Sequence, residues 1–423
     1  MILKYITCGS LKKDRFFPLG FLLMSFSFFF LYDMFAVTPT LNIILWALTV
    51  FFLFKRKMER PKPIKILFLI LIFLVFLNIR KMEMIKNNLY NYTSLIIVGC
   101  TLLMIHSKEI HLSSYRIFLI PCIIYVTVRC LYLFDSKLFL SYLEIISPRL
   151  QVFSNRMIVE GYGVPITLNI SLTEYYLFFG FNYLLISCYK KIMDKQNISI
   201  KEILGILILI WAIFSLKRRT AVVAFLVTVL MFFFFILSKK GKGLYMILLA
   251  GFSCGLALIL YIFLRNHVRL DNRIWNTVIS LAEGNDVSTG RFALYRKAIE
   301  VFQNHMVSGI GWNGFSQYSI TIDPNVSNVH NLILQLLCET GLIITSVIIL
   351  LLSIFFYFTL LYLKRANSIH KPYLLFTFNC LIFFFTASMF DNVIYTPNGW
   401  ITILIGILPL IKVESEMGRN RSN

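Results

Sequence analysis

The stretch Ser199–Leu237, SIKEILGILILIWAIFSLKRRTAVVAFLVTVLMFFFFIL, contains two apolar segments that flank one short basic turn. Each segment, 199–216 and 220–237, has roughly the length that a helix needs to cross a lipid bilayer. Backbone groups in lipid need internal hydrogen-bond partners, so both segments should be α-helices. The stretch therefore predicts a helical hairpin in a membrane, with Lys217, Arg218 and Arg219 at its tip.

The same apolar pattern recurs along the whole chain of 423 residues, of which 58% are hydrophobic and only 14% charged. We expect an all-α polytopic membrane protein of about 12 transmembrane helices, forming a single integral membrane domain over residues 1–423. The expected spans are 16–32, 35–54, 64–79, 90–106, 115–134, 172–189, 199–216, 220–237, 243–264, 341–363, 373–390 and 398–412.

The formal net charge of +21 is first of all what the basic inner loops of a membrane protein produce. A nucleic-acid-binding protein would need a basic soluble domain, and no segment offers one. The eight cysteines lie mostly in apolar spans and form no Cys-x-x-Cys pair, so we expect neither a disulfide framework nor a metal site.

Lys and Arg residues in the short loops place both termini on the inner side of the membrane. Two long loops then face outward, a smaller one at 135–171 and a large one at 265–329. The large loop contains several aromatic residues, which predict ordered structure with short amphipathic helices. These residues are Trp275, Phe292, Tyr295, Trp312 and Phe315.

Several arginines lie on the predicted outer side, where basic residues are uncommon. They include Arg218 and Arg219 at the hairpin tip, Arg149 and Arg156 in the smaller loop, and Arg291 in the large loop. Ionisable groups at membrane depth suggest function, and guanidinium matches phosphate with two parallel hydrogen bonds, so this pattern indicates an anionic partner. The alternative is that these side chains reach lipid headgroups or are simply solvated.

Two further motifs lie within the large loop. The segment STGRFALYRKAIEVFQNH, residues 288–305, predicts an amphipathic helix with Arg291 in its first turn. A cation there opposes the helix dipole, so Arg291 should point at a partner. The following GIGWNGF, residues 309–315, matches a dinucleotide-binding spacing but lacks the strand-turn-helix context, so we expect a tight turn.

The segment NVHNLILQLLCETGLI, residues 328–343, predicts a short helix at the outer surface that breaks near Gly341 and leads into the next span. His330 heads this helix, and Asn331, Gln335 and Glu339 form one polar stripe along it, as support for the site. A lone histidine in a membrane protein is more often structural than catalytic. His330 is nevertheless the candidate general base.

These segments resemble the motifs of the bacterial O-antigen polymerase and O-antigen ligase superfamily of polytopic membrane glycosyltransferases. The resemblance covers the hydropathy of most of the chain, and its motifs lie within residues 215–345. It is carried by SLKRRTAVV, by TGRFALYRKAIEVF with the following GIGWNGF, and by VHNLILQLLCETGLI. Arg219, Thr220 and Ala221 are in register with the family's Ser-Arg-small-Ala stretch, whereas Arg218 stands where Ser or Thr is usual.

The resemblance implies a donor glycan on undecaprenyl diphosphate, presented at the outer face of the bacterial inner (cytoplasmic) membrane. Arg219 and Arg291 would bind the diphosphate leaving group, and His330 would orient or deprotonate the attacking hydroxyl. Further substrate-binding candidates are Arg218, Arg149, Arg156 and Asn331. The resemblance also implies an inverted linkage. A diphosphate needs no acid to leave, so a carboxylate pair is unnecessary. The sequence has no Asp-x-Asp motif, and we expect no metal and no cofactor.

Motif form favours an O-antigen or capsule polymerase over a ligase that transfers the glycan to lipid A–core. The lipid bilayer is one expected partner, and a chain-length regulator and a flippase are others. Two readings from other classes stay open, namely a flippase or transporter of lipid-linked glycans and a scaffold for a glycan-assembly complex. Repeated halves and mid-membrane charges, which transporters commonly show, are not evident in the sequence.

Overall fold

The structure, a computed structural model, describes residues 62–78, 95–96, 98–103, 105–146, 148–164, 170–238, 291–322, 328–395 and 397–419. The predicted spans 16–32, 35–54 and 243–264 lie outside the described residues, as does the part of the large loop before residue 291.

Helices, and no strands, make up the regular structure of the described residues. The α-helices are α1 (Pro63–Leu77), α2 (Leu119–Phe134), α3 (Ser136–Ile146), α4 (Pro148–Val159), α5 (Ile170–Met193), α6 (Ile200–Ser215), α7 (Arg219–Ser238), α8 (Arg291–Asn304), α9 (Ser316–Ser319), α10 (Leu332–Arg365), α11 (Lys371–Ser388) and α12 (Pro397–Arg419). Short 3₁₀ turns lie at Ser107–Glu109, Leu112–Phe118 and Val393–Tyr395.

Within this part of the chain, four helical segments are long and apolar enough to cross a membrane. They are Leu112–Phe134, Arg219–Ile236, Leu332–Arg365 and Lys371–Ser388. The helical membrane class is therefore confirmed. The total of about 12 spans stays a prediction.

The basic hairpin of the opening stretch forms as predicted. A capping box between Ser199 and Glu202 begins α6, where it pairs backbone groups that the first turn leaves open. After α6 ends, Lys217 takes a left-handed backbone conformation with φ of 53°. This residue turns the chain, so Arg218 immediately precedes α7 at the hairpin tip.

Helix α11 is the central element of the bundle, because α5, α7, α10 and α12 all pack against it. Phe178 of α5 stacks on Phe383 of α11 with ring centroids 3.8 Å apart. The Asn379 side-chain amide donates to Asn182 Oδ1 over 2.8 Å, a polar contact of the kind that joins helices within membranes. The loop at the C-terminal end of α11 is held at this central position.

The described parts of the predicted outer loops are largely helical. The smaller loop contains α3 and α4, which its residue pattern did not predict. The described part of the large loop contains α8 and α9. Helix α8 begins at Arg291 as expected, and it buries Leu294, Ala298 and Val301 on the side that packs against α10.

Helix α10 breaks at Gly341, whose φ of 74° and ψ of 176° are not helical, so the predicted break is confirmed. The backbone of the GIGWNGF turn lies directly against this break. A Cβ added at Gly341 would lie 2.3 Å from the Val307 carbonyl oxygen, and one added at Gly309 would lie 2.3 Å from the Glu339 carbonyl. Only glycine fits at both positions.

The same turn satisfies carbonyls that the break leaves without helical partners. The Ile310 N–H donates to the Cys338 carbonyl over 3.0 Å, and the Gly311 N–H donates to the Glu339 carbonyl over 2.8 Å. The glycines of GIGWNGF therefore form a tight turn, as predicted, and the turn fixes the angle between the two parts of α10.

Candidate functional site

Chain segments that are distant in sequence meet at Met389–Asp391, which we call the 389–391 loop. The Asn331 side-chain amide donates to the Met389 carbonyl over 3.2 Å. Arg291 Nη1 donates to the Phe390 carbonyl over 2.9 Å, so Arg291 does point at a partner, as its place in the first turn predicted. Two of the three sequence motifs therefore contact one short loop.

Asp391 connects Arg218, which belongs to the third sequence motif, to His330. Its Oδ2 accepts from Arg218 Nη2 over 2.5 Å and from Ser171 Oγ over 2.7 Å. Ser171 Oγ in turn accepts from Arg218 Nη1 over 2.5 Å. Asp391 Oδ1 lies 3.6 Å from His330 Nδ1. The carboxylate thus bridges a guanidinium and an imidazole.

A second carboxylate lies behind this arrangement. Glu174 Oε2 is 3.6 Å from Arg218 Nε, and among the described residues neither Glu174 oxygen accepts a hydrogen bond. The exposed side-chain fraction rises from 1% at Glu174 through 12% at Arg218 and 16% at Asp391 to 31% at His330. The cluster therefore extends from the protein interior to an accessible imidazole.

Burial by itself would raise the pKa of Asp391. The Arg218 guanidinium, followed by His330 and Ser171, instead holds the pKa of this carboxyl well below its ordinary value. Asp391 is therefore ionised at any physiological pH, and it can stabilise a positive charge on the His330 ring.

The backbone fixes His330 in an uncommon conformation. Its φ of 58° lies in the left-handed region, which residues other than glycine seldom occupy and which clusters at functional sites. Hydrogen bonds hold the chain on both sides of it. The Val329 N–H donates to Gln335 Oε1 over 2.8 Å, and Asn331 Oδ1 accepts from the Leu334 N–H over 3.0 Å to cap α10.

The polar stripe of α10 supports this geometry, as its pattern suggested. Gln335 accepts a hydrogen bond from Asn392, next to the 389–391 loop, and donates to Glu339 Oε1 over 2.9 Å. Glu339 then accepts from the backbone N–H groups of Asn313 at 2.7 Å and Phe315 at 3.1 Å. The stripe links the loop of the site to the GIGWNGF turn.

Four helices, α5, α7, α8 and α10, begin at the site. Ser171 is in the first turn of α5, Arg218 directly precedes α7, Arg291 begins α8 and Asn331 caps α10, and each contacts the 389–391 loop. Because the N-terminal end of a helix carries partial positive charge, this arrangement favours a bound anion.

The other predicted site residues lie as follows. Arg219 is the first residue of α7 and half-buried. Arg149 and Arg156 are exposed on α4, where Arg156 Nε pairs with Glu160 Oε1 over 2.8 Å. The roles of these three arginines stay predictions.

Three members of the cluster were not predicted from the sequence: Ser171, Glu174 and Asp391. Two of them left a signal that could have found them. Asp391 is an isolated acidic residue between the apolar segments 373–390 and 398–412, and Glu174 lies inside the predicted span 172–189. A carboxylate in such a position is a functional hypothesis in its own right. Ser171 left no comparable signal.

Across the described residues, no group of three His, Cys, Asp or Glu side chains could hold a metal ion. Metal independence stays a prediction.

The residues of the cluster can now be compared with known proteins. Residues 204–349 match the family model described as O-Antigen ligase. The match includes Arg218, Arg219, Arg291 and His330, and it confirms the resemblance to the O-antigen polymerase and ligase superfamily. No curated protein matches the chain.

Members of the O-antigen ligase family are glycosyltransferase-like enzymes, either ligases or polymerases. Together with the spanning helices, the match indicates a protein of the bacterial inner membrane. Ser171 and Glu174 precede the matched residues and Asp391 follows them, so these three members of the cluster lie outside the match.

Proposed function

We propose that this chain is a surface-polysaccharide polymerase for O-antigen or capsule. It joins undecaprenyl-diphosphate-linked glycan repeat units at the outer face of the cytoplasmic membrane, with inversion and without a metal. The observation that carries the proposal is the convergence of Arg218, Arg291 and His330 on the 389–391 loop.

The diphosphate of the donor would bind at Arg291 and Arg219, among the N-terminal ends of the four helices. Arg218 has a different task. Its charge is already offset by Asp391 at 2.5 Å, so its attraction for a further anion is weak. We assign Arg218 as the positioning residue that holds Asp391.

The reaction then uses His330 as the general base. The acceptor hydroxyl oxygen forms a bond to the anomeric carbon while the bond from that carbon to the diphosphate oxygen breaks. The hydroxyl proton passes to His330, and the diphosphate leaves on its lipid with the bonding electron pair. Asp391 orients the ring through Nδ1 and stabilises the imidazolium that forms.

A ligase that transfers the glycan to lipid A–core is the second candidate, because the matching family model is described as O-Antigen ligase. Both activities use the same donor and the same leaving group. The form of GIGWNGF and of HNLILQLLCETGL favours the polymerase.

A deletion strain complemented with wild type or with His330→Ala separates these functions. For a polymerase, the variant leaves single repeat units attached to the surface acceptor. For a ligase, the variant leaves no glycan attached at all. Repeat units trapped on the inner side of the membrane would indicate a transporter instead, and full complementation by His330→Ala would contradict the catalytic site.

A further inference from the structure

We infer that helices α3 and α4 form a surface that binds anionic phospholipids of the leaflet on the side of the site. The two helices pack against each other as a hairpin directly after the spanning segment Leu112–Phe134. Asp135 is the single residue between α2 and α3, and its Oδ1 accepts from the Lys137 and Leu138 N–H groups over 3.0 Å. The hairpin therefore begins where the span ends, without a linker.

The α3–α4 hairpin lies beside the end of α2 and does not extend away from it. Its buried side packs against Val128 and Tyr132, in the last two turns of α2. Phe139 of α3 meets the Tyr132 ring edge-on, with ring centroids 6.1 Å apart. Because α2 is part of a spanning segment, the hairpin is held at the edge of the bilayer, where its exposed side chains can contact lipid.

The end of the hairpin is tied to the basic turn of the site. The Gly163 N–H donates to the Leu216 carbonyl over 2.9 Å, two residues before Arg218. Ser215, the neighbour of Leu216, has its Oγ 3.0 Å from the Tyr125 hydroxyl of α2. The hairpin and the site therefore lie at the same end of the bundle, and the leaflet that the hairpin contacts is the one beside the site.

The exposed surface of α3 has one apolar side and one polar side. Leu138, Tyr142 and Ile145 recur at helical spacing and share one side, and all three are exposed, Ile145 to 81%. Lys137 and Glu144 share a different exposed side. A helix with this division of exposed side chains is suited to the membrane interface, where its apolar side enters the acyl chains and its polar side faces water.

The exposed side of α4 combines cations with apolar residues. Arg149, Val152, Arg156 and Val159 follow one another at intervals of three or four residues, so they share one side, and all are exposed. Arg156 pairs with Glu160 at 2.8 Å, and Arg149 leaves this side with a net positive charge. Arginine can extend to a phosphate while its apolar neighbours contact acyl chains, so this side is complementary to an anionic phospholipid.

Lipid is the occupant that the neighbouring surface indicates. The apolar side of α3 follows directly on the exposed end of α2, where Leu131 and Phe134 are also exposed. Exposed apolar side chains of a spanning helix contact acyl chains, and the same acyl chains can continue over α3 without a further partner.

The first measurement tests whether the apolar side of α3 enters the bilayer. A fluorescent amino acid replaces Ile145 in the full-length protein in liposomes, and Glu144 is replaced in the matched control. The quenchers are a phospholipid with a nitroxide near the head of its acyl chain and, in the water, iodide. We expect the lipid nitroxide to quench position 145 roughly threefold more strongly than position 144, and iodide to do the reverse.

Two outcomes of this measurement overturn the inference. One is quenching of position 145 by iodide as strongly as position 144, which would place the apolar side of α3 in water. The other is protection of position 145 from both quenchers, which would mean that a second copy of the chain covers it.

The second measurement tests the preference for anionic lipid. The fluorescent amino acid replaces Val152, between the two arginines, and is quenched by spin-labelled phosphatidylglycerol or spin-labelled phosphatidylcholine. We expect phosphatidylglycerol to quench roughly twofold more strongly, and Arg149→Gln with Arg156→Gln to abolish the difference. Ile123, exposed on α2 and distant in sequence from these arginines, is the control position and should show no preference. Equal quenching by the two lipids at position 152 of the wild type, or a preference that survives in the variant, overturns the inference.

Discussion

The two ends of α11 both carry ionisable groups, but they use them differently. At the N-terminal end, polar side chains tie α12 to its neighbours, and Glu416 lies near both His370 and Lys412. His370 Nε2 lies 2.8 Å from Glu416 Oε2, and Ser107 Oγ donates to Ser415 Oγ over 2.8 Å. At the C-terminal end, about 27 Å away along the helix axis, several segments converge on the 389–391 loop.

We propose that this difference separates structural polar groups from functional ones. The contacts near His370 tie α12 to neighbouring segments. The cluster at Asp391 places an imidazole in a left-handed backbone conformation and leaves it 31% exposed. The convergence of segments, the strained backbone and the accessible imidazole are the reasons why we propose the second end as the site. Each can be tested against the first end.

The largest expected effect comes from replacing the histidine at each end of α11 with alanine, one at a time. His330→Ala should lower the rate of glycan transfer by about 10²–10⁴, the usual contribution of a general base. His370→Ala should leave the rate unchanged and lower the free energy of unfolding by roughly 1 kcal/mol, since Glu416 is partly exposed. Initial rates and thermal unfolding of both variants in detergent check this. Equal rates for the two variants would remove the functional distinction between the ends.

Asp391→Ala should lower the free energy of unfolding by roughly 3 kcal/mol, because it leaves the nearly buried Arg218 without its closest carboxylate. Transfer should fall as well, since His330 loses its partner. Glu160→Ala is the matched control, because it breaks the exposed pair with Arg156 and should cost less than about 1 kcal/mol. Similar losses in the two variants would mean that the Asp391 pair is no more important than a surface pair.

Gly341→Ala tests the backbone that positions His330. An alanine here would be strained at a φ of 74°, and its Cβ would meet the Val307 carbonyl. Together these effects should lower the free energy of unfolding by roughly 2 kcal/mol or more. Gly99→Ala is the control, because a Cβ there meets only side-chain atoms at 3.7 Å. Melting temperatures measured side by side should fall for Gly341→Ala alone. Tolerance of Gly341→Ala would show that the break in α10 can be rearranged.

The smallest expected effect is the pH dependence of the contribution that Asp391 makes to the free energy of unfolding. Because the folded pKa of Asp391 is held below its ordinary value, its stabilising effect is fully present above about pH 4 and is lost as the pH falls towards the folded value. In a His330→Ala background, which removes the imidazole beside Asp391, the stability change caused by Asp391→Asn should therefore be constant from about pH 5 to pH 8. A difference that changes steadily within this range would show that the Arg218 pair does not hold the proton off Asp391.

Much of the fold could be predicted because the hydropathy of a membrane protein shows which segments are apolar and long enough to cross the bilayer. The predicted spans 172–189 and 220–237 correspond to α5 (Ile170–Met193) and α7 (Arg219–Ser238). The break at Gly341 could be predicted because a single helix from Val329 to Leu363 would be too long for one span. The helices of the smaller outer loop lacked a comparable signal.

The site could be predicted only in part, for a physical reason. His330 and Arg291 lie in local motifs that a sequence displays directly. Asp391 meets Arg218 across 173 residues and Ser171 across 220 residues, and these contacts depend on how α5, α7 and α11 pack. The packing also distinguishes the two neighbouring arginines, since Arg218 is the one that contacts Asp391.

The most direct test is transfer by the purified protein in liposomes that contain only lipid-linked repeat units, without ATP or cytosolic factors. We predict that the wild type lengthens the glycan and releases one polyprenyl diphosphate for each new linkage. The variant Arg291→Ala with His330→Ala should do neither, while His370→Ala should behave as wild type. Lengthening that continues in the double variant would contradict the assignment of the glycosyltransferase site to the 389–391 end of α11. A wild type that leaves the repeats unchanged would contradict the assignment of a polymerase.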